Sequence, residues 1–224
     1  MNLHNLLHTI SESPISIMDA SISLSQYYPI DLSSTNKDLE TIDITDPWKC
    51  QTYIKSILSK ANGIVAYGGY LEKRNLYSSA DRFSIGEPRS IHLGVDFWCA
   101  AGTKVITPIK GIVHSFKNNA DSGNYGPTII LEHIVKDITF YSLYGHLSLE
   151  SLGGLYIGKQ FNKGEILATL GDTPINVNYA PHLHFQLIDD VQKFKGDYPG
   201  VCSNSDLSFY QNNCPDPNLL LGLY

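Results

Sequence analysis

The histidines whose spacing could do chemistry are His182 and His184, in Ala180-Pro181-His182-Leu183-His184-Phe185. Side chains of an extended segment alternate between faces, so two histidines one residue apart share a face. Pro181 suits the first position of a strand, and Phe185-Gln186-Leu187-Ile188 continues an extended, half-apolar run. A neutral imidazole is the commonest protein ligand for a transition metal, and a second beside it can take up or release a proton. Such a pair is common by chance, so its meaning rests on partners elsewhere in the chain.

Two segments supply them. In Ile91-His92-Leu93-Gly94-Val95-Asp96-Phe97 an extended backbone puts His92 and Asp96 on one face, and Gly94 between them carries no side chain. Tyr144-Gly145-His146-Leu147-Ser148 ends a further strand with a third imidazole. A hydrolytic zinc site takes three nitrogen or oxygen ligands and keeps one position for water. His92, Asp96 and one member of the His182/His184 pair make such a set, and spacing leaves open which member it is. His146 and the remaining histidine are then placed for acid–base work. No HExxH is present, so no glutamate base stands in the usual metalloprotease position. His4 and His8, four apart, have no third ligand nearby and read as solvated; His114 and His133 read as strand residues.

The elements that must position these residues are mostly strands. Short apolar runs punctuated by turn residues predict strands at about 64–67, 84–86, 91–97, 104–106, 111–117, 128–134, 138–147, 165–171 and 182–188. Asp46-Pro47 opens one amphipathic helix over about 47–62, with Cys50, Tyr53, Ile54, Ile57, Leu58 and Ala61 on one face and Gly63 beyond its end. A short helical stripe, Leu3, Leu6, Leu7 and Ile10, precedes it. Residues 191–224 lose alternation and read as an irregular tail docked through Leu219–Leu223. The expected division is an extension (1–75), a β domain (76–190) and the tail.

Composition bounds the function. At 224 residues, 42% hydrophobic and 17% charged, the chain has the makings of a globular fold. A formal charge of −6 offers no basic face for nucleic acid or an anionic membrane. Four scattered cysteines form no CxxC pair; Cys202 and Cys214 are spaced to bridge or to remain buried thiols. Neither a cationic leader nor a membrane-spanning run is visible, which predicts a cytoplasmic protein by default.

The HxxxD, YGHLS and HLHF segments resemble those of the lysostaphin/LytM-type zinc endopeptidases, which cleave peptide bonds of peptidoglycan cross-bridges or stems. The similarity covers about residues 85–190, including Gly123-Asn124-Tyr125-Gly126 and Lys163–Ala168. It implies a mainly β fold, a folded two-layer antiparallel sheet with the site on the floor of a groove. It implies one zinc per chain on His92, Asp96 and His184, with His182 and His146 as the catalytic histidines and a peptide or peptidoglycan substrate. Asn124 and Tyr125, in predicted loops that would wall the groove, are candidate substrate contacts; Tyr144 is a candidate donor to the substrate carbonyl, with a packed aromatic as the safer reading. A peptidoglycan substrate would move the expected location to the periplasm or the cell exterior. The tail resembles a subgroup whose LytM-like domain also occurs fused to kinase-like and aminotransferase domains, a setting for hydrolysis of a small non-wall amide. A non-catalytic LytM-like regulator and a phosphocarrier-like domain are the non-enzyme alternatives.

Overall fold

Alternation along the strands decides what each face of this protein carries. In the computed structural model, residues 2–10, 14–75 and 87–224 are described. The chain runs through α1 (Leu3–Ile10), β1 (Tyr27–Pro29), α2 (Pro47–Ala61) and β2 (Val65–Gly68). It continues with β3 (Ile91–His92), β4 (Val95–Trp98), β5 (Lys104–Ile106), β6 (Gly111–Asn119), β7 (Gly126–Val135) and β8 (Ile138–Gly145). Then come β9 (Gln160–Phe161), β10 (Ile166–Thr169), β11 (His182–Ile188), β12 (Val201–Cys202), α3 (Leu207–Asn213) and α4 (Asn218–Leu221).

Eight strands form one sheet in the order β1-β2-β4-β11-β8-β7-β6-β9, antiparallel except for the β1–β2 pair. Val95 and Phe97 of β4, Leu183, Phe185 and Leu187 of β11, Ile129 and Leu131 of β7, and Phe140 and Tyr144 of β8 share one buried cluster. Val105 of β5 and Leu167 and Ala168 of β10 belong to the same cluster, so the small β5–β10 sheet packs on this face as a second layer. The fold is therefore mainly β with a large antiparallel sheet, as the sequence pattern predicts. The opposite face carries Asp96 and Trp98 of β4 and His182, His184 and Gln186 of β11. At one edge it is covered by Cys50, Tyr53 and Ile54 of α2, which cluster with Trp98. Elsewhere Tyr125, Tyr198, Cys202 and Cys214 cover it, clustering with Ile130 and Leu143.

The α2 helix begins as its sequence dictates, the Asp46 carboxylate accepting from the N–H groups of Trp48 (2.9 Å) and Lys49 (3.2 Å). It stops one residue before the expected glycine, because Asn62 takes the left-handed conformation at φ 53°. Other expectations need correction. The run 91–97 is two strands broken at Leu93-Gly94, and the tail is not wholly irregular, holding β12, α3 and α4. Two-residue strands such as β9 and β12 are set by their partners and leave no period to read. The strand expected at 84–86 lies outside the described residues. Cys50, Cys99, Cys202 and Cys214 are free thiols. Among the described residues no helix is long and apolar enough to cross a membrane.

His133 fills a structural place in β7. Its Nδ1–H donates to Lys110 O (2.9 Å) and its Nε2 accepts from Ser142 Oγ (2.6 Å), while burial pushes its pKa down to about 4. An unfolded imidazole titrates near 6.5, so the unfolded state binds the extra proton as pH falls from about 6.5 to about 4, and stability falls with it. That shift is worth about 3 kcal/mol, complete near pH 4 and absent above pH 7. Denaturant titrations at pH 7 and pH 4 check this: His133→Gln should lose roughly this share of the wild-type pH dependence. An unchanged difference between the two pH values would show that His133 is not the buried neutral base drawn here.

Candidate metal centre

The β4–β11 register brings the first two motifs together, since His184 is directly opposite Asp96 and His182 opposite Trp98. On the other side of β11, His184 pairs with Gly145, which brings the YGHLS segment alongside. His92 enters from β3, just before the Leu93-Gly94 break. A Cβ on Gly94 would lie 2.9 Å from the His184 ring and 2.6 Å from Phe185 O, so the residue between His92 and Asp96 must be glycine for the imidazole to sit there.

His92 Nε2, His184 Nδ1 and Asp96 Oδ1 converge. The two nitrogens are 2.8 Å apart, and the carboxylate oxygen lies 3.2 Å from the first and 3.1 Å from the second. The outer nitrogen of each ring is already used. His92 Nδ1 is 2.9 Å from Gly69 O, and a carbonyl accepts only, so this nitrogen carries the proton. Gln186 donates through Nε2 to Pro199 O (3.1 Å) and Cys214 Sγ (3.2 Å), which turns its Oε1 toward His184 Nε2 at 2.9 Å and makes that nitrogen a donor as well. The facing nitrogens therefore both present bare lone pairs, beside an ionised oxygen. Three electron-rich atoms at such distances repel unless a cation stands among them.

Neither His92 nor Asp96 readily takes up a proton to fill that role. Burial, helped by the nearby Arg74 charge, lowers the His92 pKa to about 4. Burial opposes ionisation of Asp96, but His92, Arg74 and His184 together hold its carboxyl well below the usual range. Two imidazole nitrogens and one carboxylate oxygen, all within 4.8 Å of one another, match the nitrogen and oxygen preference of zinc. No other such cluster occurs among the described residues, so His4 and His8, whose rings lie 5.6 Å apart, stay outside the site.

Arg74 and Gln186 hold this set in place, and no sequence motif marks either. The Arg74 side chain is fully buried, paired with Asp96 Oδ2 and with Glu72, which leaves Asp96 Oδ1 alone to face the imidazoles. Its guanidinium also sits 5.4 Å over the Trp98 ring, which stacks on His182 at 5.8 Å.

Next to the cluster stand His182 and His146, their ring centroids 4.1 Å apart. His182 Nδ1–H donates to Ala180 O (2.7 Å), which leaves Nε2 bare. Burial lowers both pKa values; for His146, well below the usual value, His182 and His184 add to the effect. His146 is reached through a left-handed backbone at φ 62°, a conformation costly for a residue other than glycine and one that clusters at functional sites. The Asn176 backbone acts on this ring, yet no hydrogen bond of good geometry reaches its buried Nδ1. All five side chains are between 1% and 5% exposed and line one cavity, together with Asn124 and Tyr125. Tyr144 does not join them. It is fully buried on the opposite face, 5.2 Å from Phe185, with its hydroxyl against Ser142. The turn at His146 breaks the alternation, so Tyr144 and His146 leave β8 toward opposite sides.

Residues 90–195 match peptidase family M23. The match spans just under half of the chain. The M23 family is one of metallopeptidases, and the matched span contains all five clustered side chains. A Haemophilus influenzae protein named an uncharacterized metalloprotease is 37% identical over 95 residues, which are 42% of this chain and 18% of that protein. The chain thus spans under a fifth of that relative's length. Among solved structures, the catalytic domain of the antimicrobial peptidase lysostaphin from Staphylococcus simulans is 23% identical, with a TM-score of 0.37. That match covers 65% of this chain and 88% of the other. The catalytic domain of the M23 protein EnpA from Enterococcus faecalis is 21% identical over 62% of this chain and 86% of its own, with a TM-score of 0.39.

Proposed function

We propose that the chain is a zinc-dependent peptidase that hydrolyses a peptide amide, with peptidoglycan stems or cross-bridges as the substrate class implied by the motif resemblance. His92 Nε2, Asp96 Oδ1 and His184 Nδ1 are the ligands, and one observation carries this reading. Both imidazoles are pinned by their outer N–H groups so that bare nitrogens face one carboxylate oxygen. Bound zinc supplies a Lewis acid and brings the pKa of a coordinated water to about 7.

The chain's own residues do the rest. The bare Nε2 of His182 takes the proton of the attacking water and returns it to the leaving amine nitrogen. Its depressed basicity keeps this imidazole neutral, and so ready to accept, near pH 7. His146, beside it, donates a hydrogen bond to the oxyanion that develops on the scissile carbonyl. Trp98 and the Ala180 carbonyl hold the His182 ring in one orientation, so its proton transfer needs no rearrangement.

The test is metal analysis joined to hydrolysis. Purified protein should carry one zinc per chain and cleave Gly- or D-Ala-containing peptides, with products read by mass spectrometry. A chelator should stop cleavage and added zinc restore it. Protein that takes up no metal overturns the reading and favours a phosphocarrier-like or purely binding domain. Gln186 gives a finer check. Gln186→Leu frees the His184 Nε2 proton from its partner and should weaken zinc binding about 10- to 100-fold in competition with a chromogenic chelator.

A further inference from the structure

A polymer-cleaving site needs room on both sides of the scissile bond. Here residues 194–201 wall one side of the cavity. Residues 194–201 run across the face that carries the metal centre and are tied down at three places. At β6, Gly196 N–H donates to Ser115 Oγ (2.8 Å) and Gly196 O accepts from Asn119 Nδ2 (2.7 Å). At β11, Pro199 O accepts from Gln186. At β3, Leu93 N–H donates to Gly200 O (2.9 Å), and Val201 of β12 pairs with His92.

The bar closes onto the opposite wall. Tyr125, whose ring lies 5.1 Å from His184, reaches Gly200 so closely that a Cβ there would fall 2.0 Å from its hydroxyl. Phe194, Tyr198 and Pro199 line the same cavity as His146, His182 and His184. That cavity holds about 280 Å³, just under the roughly 300 Å³ at which small-ligand pockets begin. This is a pocket for a residue or two beside the reacting carbonyl, where a long chain in transit would need an open trough.

Resting on the peptidase reading above, we propose that the site takes peptides with a free end, the scissile amide lying within a residue or two of a terminus that seats against residues 194–201. Water oxygen adds to the amide carbonyl carbon and the C–N bond breaks. The water proton passes to the departing nitrogen, so the products are a carboxylic acid and an amine. The preferred wall-type substrates are then released stem or bridge peptides, while bonds inside the intact network are poor substrates.

The experiment gives zinc-loaded full chain three substrates: a short linear Gly/D-Ala peptide, a linear peptide of about three times its length with both termini blocked by bulky groups, and intact peptidoglycan sacculi. The free short peptide should be cleaved about 100-fold faster than any internal bond of the other two, because the bar excludes them sterically. Cleavage of the blocked peptide or the sacculi at a comparable rate overturns the proposal and leaves the peptidase reading standing. Failure to cleave any of the three by metal-loaded protein overturns the peptidase reading and this inference with it. Phe194→Ala, a partly buried position on the bar, should raise internal relative to terminal cleavage at an unchanged unfolding midpoint. If the variant is folded and the ratio is the same as wild type, residues 194–201 do not set the limit. If it does not fold, the three-substrate comparison on wild type decides alone.

Discussion

Alanine at His182 or at His146 leaves a folded protein with one zinc per chain and lowers kcat by about 10²- to 10⁴-fold. The expectation follows from where the two rings stand. Neither contributes an atom to the converging trio, so the ligand set survives. On the proposed roles, the first variant lacks the bare nitrogen that would handle the proton and the second lacks the donor beside it. Elemental analysis and turnover on one peptide, measured on the same preparations, separate the two roles. Zinc lost from either variant would move that histidine into the ligand set and reverse the assignment.

The second large effect belongs to Asp96→Ala. One carboxylate serves two partners, with Oδ1 toward the imidazoles and Oδ2 toward Arg74. Its removal should abolish stoichiometric zinc and with it hydrolysis. It should also take one of the two carboxylate partners away from a fully buried guanidinium, and breaking one half of a buried pair costs about 3–5 kcal/mol. Comparing the variant with wild type, both stripped of metal, isolates this second cost, because no zinc contributes to either. Equal stability of the two metal-free proteins would mean that Arg74 does not depend on Asp96 as the geometry indicates.

How far the site could be read from the sequence follows from the distance over which each residue's cause acts. His182, His184, His92 and Asp96 announce themselves because their geometry is local: period-two alternation and a glycine without a side chain place them before any tertiary contact is known. That His184 and not His182 joins the converging trio is different. It rests on the β4–β11 register, which sets His184 opposite Asp96 and brings its Nδ1 beside His92 Nε2, and spacing holds no trace of that. Arg74 was missed because its link to Asp96 forms only when β2 pairs with β4 and the chain turns back after Gly69. Tyr144 takes the packed-aromatic role of its two readings, for the opposite reason. Strand parity would keep it with His146, and the left-handed turn at His146 overrides parity. In the tail, α3 (seven residues) and α4 (four) are too short to show a helical period, and residues 194–201 take their shape from β6, β11 and β3.

The seven residues of β11 do two jobs by parity alone, imidazoles and amide to one side, Leu183, Phe185 and Leu187 to the other. Gaining or losing a single residue in that stretch would exchange the two jobs, putting hydrocarbon where the imidazoles converge with Asp96 and nitrogen bases into the oil of the interior. Point substitutions can therefore tune this strand one position at a time, whereas insertions and deletions have to be confined to the loops that flank it.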